Sequence, residues 1–308
     1  MATTNTPVSA KMKWNRSQLI ETNTYVKVYT EALIRILPPY DRQTLFIVSK
    51  LFADGAAESG GRRLHMARHL FERGEKYVAA IPAEKSLLRL FLSNIYDRSK
   101  SFYHYRTGNP TEAIRLVHNA LSNNITLEAN GLEFLVFDRV SQYHNLAKVY
   151  FGLQQPERGF EILSDAICFL MTGHANVLTD LNRNYLSAYT ADLIQMRYSL
   201  LALMLCETLT NLQKGADAEA FVRDSEGFIT PILQAAPDFV LQEPQEEFLQ
   251  KWLLVVRLFY QKRYADFRVA AEAFLASEPS CLRNVPHQLL ESFIGYSKEL
   301  SEPLLAEA

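Results

Sequence analysis

Turn-forming residues are scarce in this sequence. Its 308 residues include 12 glycines and 12 prolines, roughly 8% together, where an average protein carries roughly 12%. A β-sandwich or barrel needs turn residues every 8–12 positions or so. The shortage excludes those folds and points to long helices. Cysteine is scarce too: Cys168, Cys206 and Cys281 are odd in number, widely spaced and without a CxxC pair. No disulfide framework or cysteine-based metal site is expected from them. They read as buried free thiols in a reducing compartment, which makes the expected localisation cytoplasmic. The N-terminal stretch MATTNTPVSAKMKWNRSQLIE lacks the apolar centre of a secretory signal. The most apolar stretches, residues 200–206 and 252–260, fall well short of the roughly 18 residues a membrane span requires, so no membrane partner is expected. An excess of one charge is also missing. The 32 Lys and Arg against 34 Asp and Glu leave a formal charge of -2, without the broad basic face of a dedicated nucleic-acid binder.

What the sequence does have is apolar periodicity. Apolar side chains recur at three- and four-residue intervals almost throughout. The pattern predicts about twelve helices, over residues 17–37, 42–53, 62–80, 84–107, 110–122, 126–153, 156–172, 178–213, 216–235, 242–262, 264–277 and 285–300. Pro38 and Pro39 end the first, since a proline ring and missing N–H cannot continue a helix. Asp41 and the Ser59-Gly60-Gly61 loop precede the next two. Gly108-Asn109-Pro110 reads as a stop followed by a start. Pro156 with Glu157 repeats that start, and Pro231 is expected to kink or end a helix. Residues 1–16, 54–61 and the tail 301–308 are expected to be the least ordered.

Small residues recur within this pattern. In the stretch from Tyr103 to Leu121, a Gly turn at Gly108 is followed by Ala113 and Ala120. In the stretch from Asn145 to Ile167, Gly159 and Ala166 stand at the same separation after a Tyr-bearing helix. Weaker versions follow at Lys214–Phe221 and at Trp252–Pro279. These units resemble tetratricopeptide repeats, with the likeness best over about residues 95–172. That family places small residues where helix B crosses helix A, because helix axes approach closely only where side chains are small. The sequence departs from the family where Ser101 and Ala147 replace the glycine of helix A, and where helices exceed the usual length. The resemblance implies an all-α, TPR-like α-solenoid of about six antiparallel helix pairs. Residues 17–82 would form an N-terminal bundle or capping helices, and residues 83–300 the repeats.

In such a solenoid, helix A lines the concave groove. Groove-facing positions carried over from the family are Arg98, Phe102, Tyr105 and Arg106 in one unit, and Ser141, His144, Asn145, Lys148 and Phe151 in the next. Mixed aromatic, amide and basic groups of this kind suit an extended peptide or a helix. The carboxylate clamp of chaperone-binding members is not implied, because Phe102 interrupts the Lys/Asn set it needs. A second candidate surface is the basic helix carrying Arg62, Arg63, Arg68 and Arg73. Its first turn follows two glycines and would favour an anion. His65, His69 and Glu72 share one helical face and form a candidate metal triad, although no HExxH motif and no second ligand helix accompany them. Neither a Walker motif nor a Gly-x-Ser-x-Gly nucleophile occurs, and no cofactor is expected.

The expected function is therefore a non-catalytic interaction module that binds another protein or a peptide in its groove. Three alternatives stay open. One is a peptide- or ligand-responsive regulator whose N-terminal bundle contacts an effector. Another is a helical enzyme or metal protein. The third is a homo-oligomer formed through apolar helices such as 245–260.

Overall fold

The computed structural model describes residues 22–181, 191–277 and 285–301. Among these residues there are twelve α-helices and no strand, so the all-α class holds. The helices are α1 (Thr22–Ile36), α2 (Pro39–Gly60), α3 (Leu64–Ala79), α4 (Ser86–Arg106), α5 (Pro110–Ala129) and α6 (Val136–Gly152). They continue with α7 (Pro156–Thr172), α8 (Ala191–Gln213), α9 (Ala218–Ala235), α10 (Pro244–Tyr260), α11 (Tyr264–Ser277) and α12 (Val285–Glu299). None of the described helices is long and apolar enough to cross a membrane.

Local sequence explains many of the boundaries. A proline occupies the first turn of α2, α5, α7 and α10, where its missing N–H costs no intrahelical bond. The Asn109 side chain caps α5 by accepting the Glu112 N–H at 3.2 Å. Asp217 caps α9 by accepting the Ala220 N–H at 2.8 Å.

The structure corrects several expected boundaries. Residues 54–60 are not a loop, because α2 runs on to Gly60. There Gly55 is packed beneath Phe71, and the Ser59 hydroxyl donates back to the Gly55 carbonyl at 2.8 Å. Gly55 there serves close packing. The helix expected over 126–153 is divided: α5 extends to Ala129, Gly131 turns the chain at φ 89°, and α6 starts at Val136. Pro231 does not end α9, which continues to Ala235. The expectations for residues 1–16, for residues 302–308 and for Cys281 lie outside the described residues, as do residues 182–190 of the expected helix 178–213.

One turn recurs. Arg62, Gly108, Gln154 and Lys262 all have left-handed φ, between 59° and 78°, and each lies just after the first helix of a hairpin. The next residue closes the same ladder each time: Arg63 N–H to Glu58 O, Asn109 N–H to His104 O, Gln155 N–H to Tyr150 O and Arg263 N–H to Leu258 O, all at 2.9–3.0 Å. The first three turns are spaced about 46 residues apart. Small residues keep step with them. Gly55, Ser101 and Ala147 are buried in the first helices, and the pairs Ala67/Gly74, Ala113/Ala120 and Gly159/Ala166 are buried in the second. A Cβ on Gly159 would stand 2.5 Å from Phe151 Cε1, so the helices meet where a side chain is missing.

Buried apolar residues form two clusters, one spanning residues 33–135 and one spanning residues 117–293. The first crosses residue 83, where the sequence suggested a division, because α2 packs on α4 as well as on α3. Helix α1 lies against α8 and α2. Its Tyr29 ring meets Phe91 and Phe134 edge-on at 6.2 and 6.1 Å, and Val28 touches both clusters.

Candidate functional site

The first helices of three successive hairpins surround one open cavity of about 430 Å³. Ala56 comes from α2; Arg98, Ser99, Phe102 and Tyr105 come from α4; Ser141, Gln142, Asn145 and Lys148 come from α6. Six of these residues, Arg98, Phe102, Tyr105, Ser141, Asn145 and Lys148, are groove positions carried over from the resemblance. Spacing explains their convergence on α6: residues 141, 145 and 148 fall on one helical face.

His144 and Phe151, expected in the same groove, do not line it. They lie about 70° around α6 from that face. His144 is buried, with Nε2 3.6 Å from the Glu207 carboxylate of α8. The Phe151 ring packs on Gly159 and lies 5.0 Å from the Phe160 ring. Both side chains belong to the packing of α6 on the elements that follow. Arg106 faces a neighbouring cavity with Arg62, Leu64, Tyr105 and Gly152.

The groove's cations are tied down. Arg98 is ion-paired with the buried carboxylate of Asp138. Lys148 Nζ lies 2.9 Å from Glu207 Oε1, and Asn145 Nδ2 donates to Gln142 Oε1 at 3.3 Å. Phe102 is the apolar element, 40% exposed although large and aromatic. Toward the start of α4, Tyr29 of α1 stands beside Asn94, Arg98 and Asp138. The resulting site is a trough with an aromatic face, an amide and two salt-bridged bases. It can hold a chain through apolar contact and hydrogen bonds. Contributors not anticipated in the sequence include Ser99 and Gln142, Ala56, which was placed in a loop, and Glu207, which lies about 60 residues from its partner Lys148.

The basic face of α3 is dispersed. Arg63 pairs with Glu58, its Nη2 donating to Oε1 at 2.9 Å. Arg68 is hydrogen-bonded to Tyr103, which raises the guanidinium pKa above its usual value. Arg73 is exposed farther along the helix. Only Arg62 joins the groove region. His65, His69 and Glu72 are exposed on α3, and among the described residues no three His, Cys, Asp or Glu side chains converge on a position where one metal ion could be held. That corrects the candidate triad: a shared helical face aligns these groups along the axis, and no second element supplies a ligand opposite them.

Compared with protein-family models, with curated proteins and with solved structures, the chain matches none.

Proposed function

We propose that the chain is a non-catalytic interaction module, a solenoid of TPR-like helical hairpins that holds a peptide or protein segment in its concave groove. The observation that carries this reading is the open cavity of about 430 Å³ built by side chains from α2, α4 and α6. Its chemistry is mixed in the way extended peptides require: an aromatic surface for a side chain, and amide and hydroxyl groups for a backbone. The recurring left-handed turn and the buried small residues support a repeated hairpin that includes α2 and α3. The likeness to tetratricopeptide repeats lies in packing rather than period, since about 46 residues exceeds that family's 34.

The test uses random 12-residue peptides displayed on phage and selected on the purified full chain. The selected peptides are then measured by calorimetry against the folded Tyr105→Ala/Lys148→Ala variant. We expect at least about tenfold weaker binding, in line with losing one aromatic anchor and one charged contact, with far-UV circular dichroism unchanged. Equal affinity for that folded variant would overturn the reading.

A further inference from the structure

Arg62 and Arg106 line a cavity of about 500 Å³ together with Leu64, Tyr105 and Gly152. Tyr105 also lines the groove described above, so the two cavities share a wall. Among the described residues, neither guanidinium has a hydrogen-bond or ion-pair partner. The neighbouring bases differ: Arg63 is paired with Glu58, Arg98 with Asp138 and Lys148 with Glu207. Uncompensated positive charge is therefore concentrated at one end of the trough. The sequence had assigned Arg62 and Arg106 to two separate surfaces. The fold unites them because the turn after α2 and the ends of α4 and α6 lie side by side.

We propose that this cavity is the anionic anchor of the groove, and that the segment held there is an acidic peptide. The inference rests on the peptide-groove reading and adds the chemistry of the partner. An Asp or Glu carboxylate would be bonded by Arg62 and Arg106, while the adjoining residues pass Tyr105 and reach Phe102. A guanidinium presents a planar fork of donors that matches the two oxygens of a carboxylate. Arg106 is half-buried and Arg62 exposed, so the first supplies a less screened bond and the second attracts the ligand from solvent. A Cβ on Gly152 would stand 2.6 Å from the Tyr105 hydroxyl, so any larger residue there would displace the ring that both cavities share.

The experiment uses the same phage-displayed 12-residue peptides, selected in parallel on the full chain and on Arg62→Gln/Arg106→Gln. Both substitutions remove the charge and leave a shorter, neutral amide in place of the guanidinium fork, and circular dichroism verifies folding. We expect the wild-type chain to enrich peptides with Asp or Glu beside an apolar residue, and the variant to lose the acidic preference. A synthetic copy of the best peptide should bind the variant about ten- to a hundredfold more weakly. Its Glu→Gln or Asp→Asn analogue should bind wild type and variant alike. Peptides enriched without an acidic bias, or with the bias retained by the variant, would overturn this inference and leave the groove reading standing. No enrichment by the wild-type chain would overturn both.

Discussion

Gly74 of α3 lies directly against the ring of Phe52 of α2, where a Cβ would stand 2.9 Å from Cδ1 and 3.0 Å from Cζ. Phe52 is fully buried between the Phe71 and Tyr96 rings, at 6.2 and 5.2 Å, so it has little room to withdraw. Gly74→Ala should gain up to about 1 kcal/mol of helix propensity but incur an overpacking cost of about 1–3 kcal/mol. The expected net result is a loss of about 1–2 kcal/mol in urea unfolding. Pairing it with Phe52→Leu, which vacates the contact, should cost less than the two single losses added together. Strict additivity would mean that the two residues do not meet.

Arg139 is fully buried on α6 and holds three elements at once. Its Nε and Nη2 donate to the Glu128 carboxylate of α5 at 2.8 and 3.0 Å, and Nη1 donates to Asp180 Oδ2 at 2.7 Å. Tyr143 donates to the other oxygen of Asp180 at 2.7 Å. Arg139→Leu should destabilise by about 3–5 kcal/mol, because it removes the two-pronged guanidinium partner of the buried Glu128 carboxylate. Arg139→Leu/Glu128→Leu should recover much of that loss, since an apolar pair of similar volume carries no desolvation cost. A single-variant loss below about 1 kcal/mol would count against the network.

Arg139 also marks what the sequence could not show. The helical class, the stop at Gly108 and the starts at Pro110 and Pro156 were legible because they depend on neighbours within one turn. The small residues at Ala113, Ala120, Gly159 and Ala166 were legible because close helix crossings require them. The carried-over positions brought six side chains to one groove, since 141, 145 and 148 obey helical geometry whatever packs nearby. His144 and Phe151 were misplaced because the rotation of α6 is set by Gly159 and by Glu207, both outside its own sequence. Arg62 and Arg106 were assigned to separate surfaces for the same reason: only the packing of α2 on α4 brings their cavity into being. Gly55 and Gly60 suggested a loop, because a glycine that makes room for Phe71 looks the same in sequence as one that makes a turn.

Cys168 and Cys206 should resist thiol reagents. Burial pushes both thiols up to about 12, with the Asp165 charge adding to the effect at Cys168. At pH 8 the thiolate fraction is then about one in ten thousand, and the thiolate is the reactive form. In a Cys281→Ser background, which isolates the two buried thiols, a disulfide reagent should release no chromophore from the native protein over minutes. Two equivalents should appear once urea unfolds it. Rapid native labelling at Cys206 would mean that α8 opens on the timescale of the assay.

Asp97 should make stability fall as pH rises through the mildly acidic range. Burial raises its carboxyl to about 6, partly opposed by Arg115 and by hydrogen bonds from Asn123 and Asn119. The fold therefore favours the neutral acid more than the unfolded chain does, where an Asp titrates near 3.9. The stabilisation from that bound proton is complete below about pH 4 and is lost as pH passes about 6. With the group incompletely shielded from water, the amount is about 1–2 kcal/mol. Asp97→Asn keeps an oxygen to accept the Asn123 amide, now at 3.0 Å, and removes the charge. It should be more stable than wild type at pH 7.5 and nearly equal at pH 4, measured as the difference in urea midpoint between the two proteins. Comparing the two proteins cancels carboxylates such as Glu75 and Glu112, whose pKa values are lowered and whose contributions run the opposite way. A difference that does not change between pH 4 and pH 7.5 would show that the fold does not raise the Asp97 carboxyl above its ordinary value.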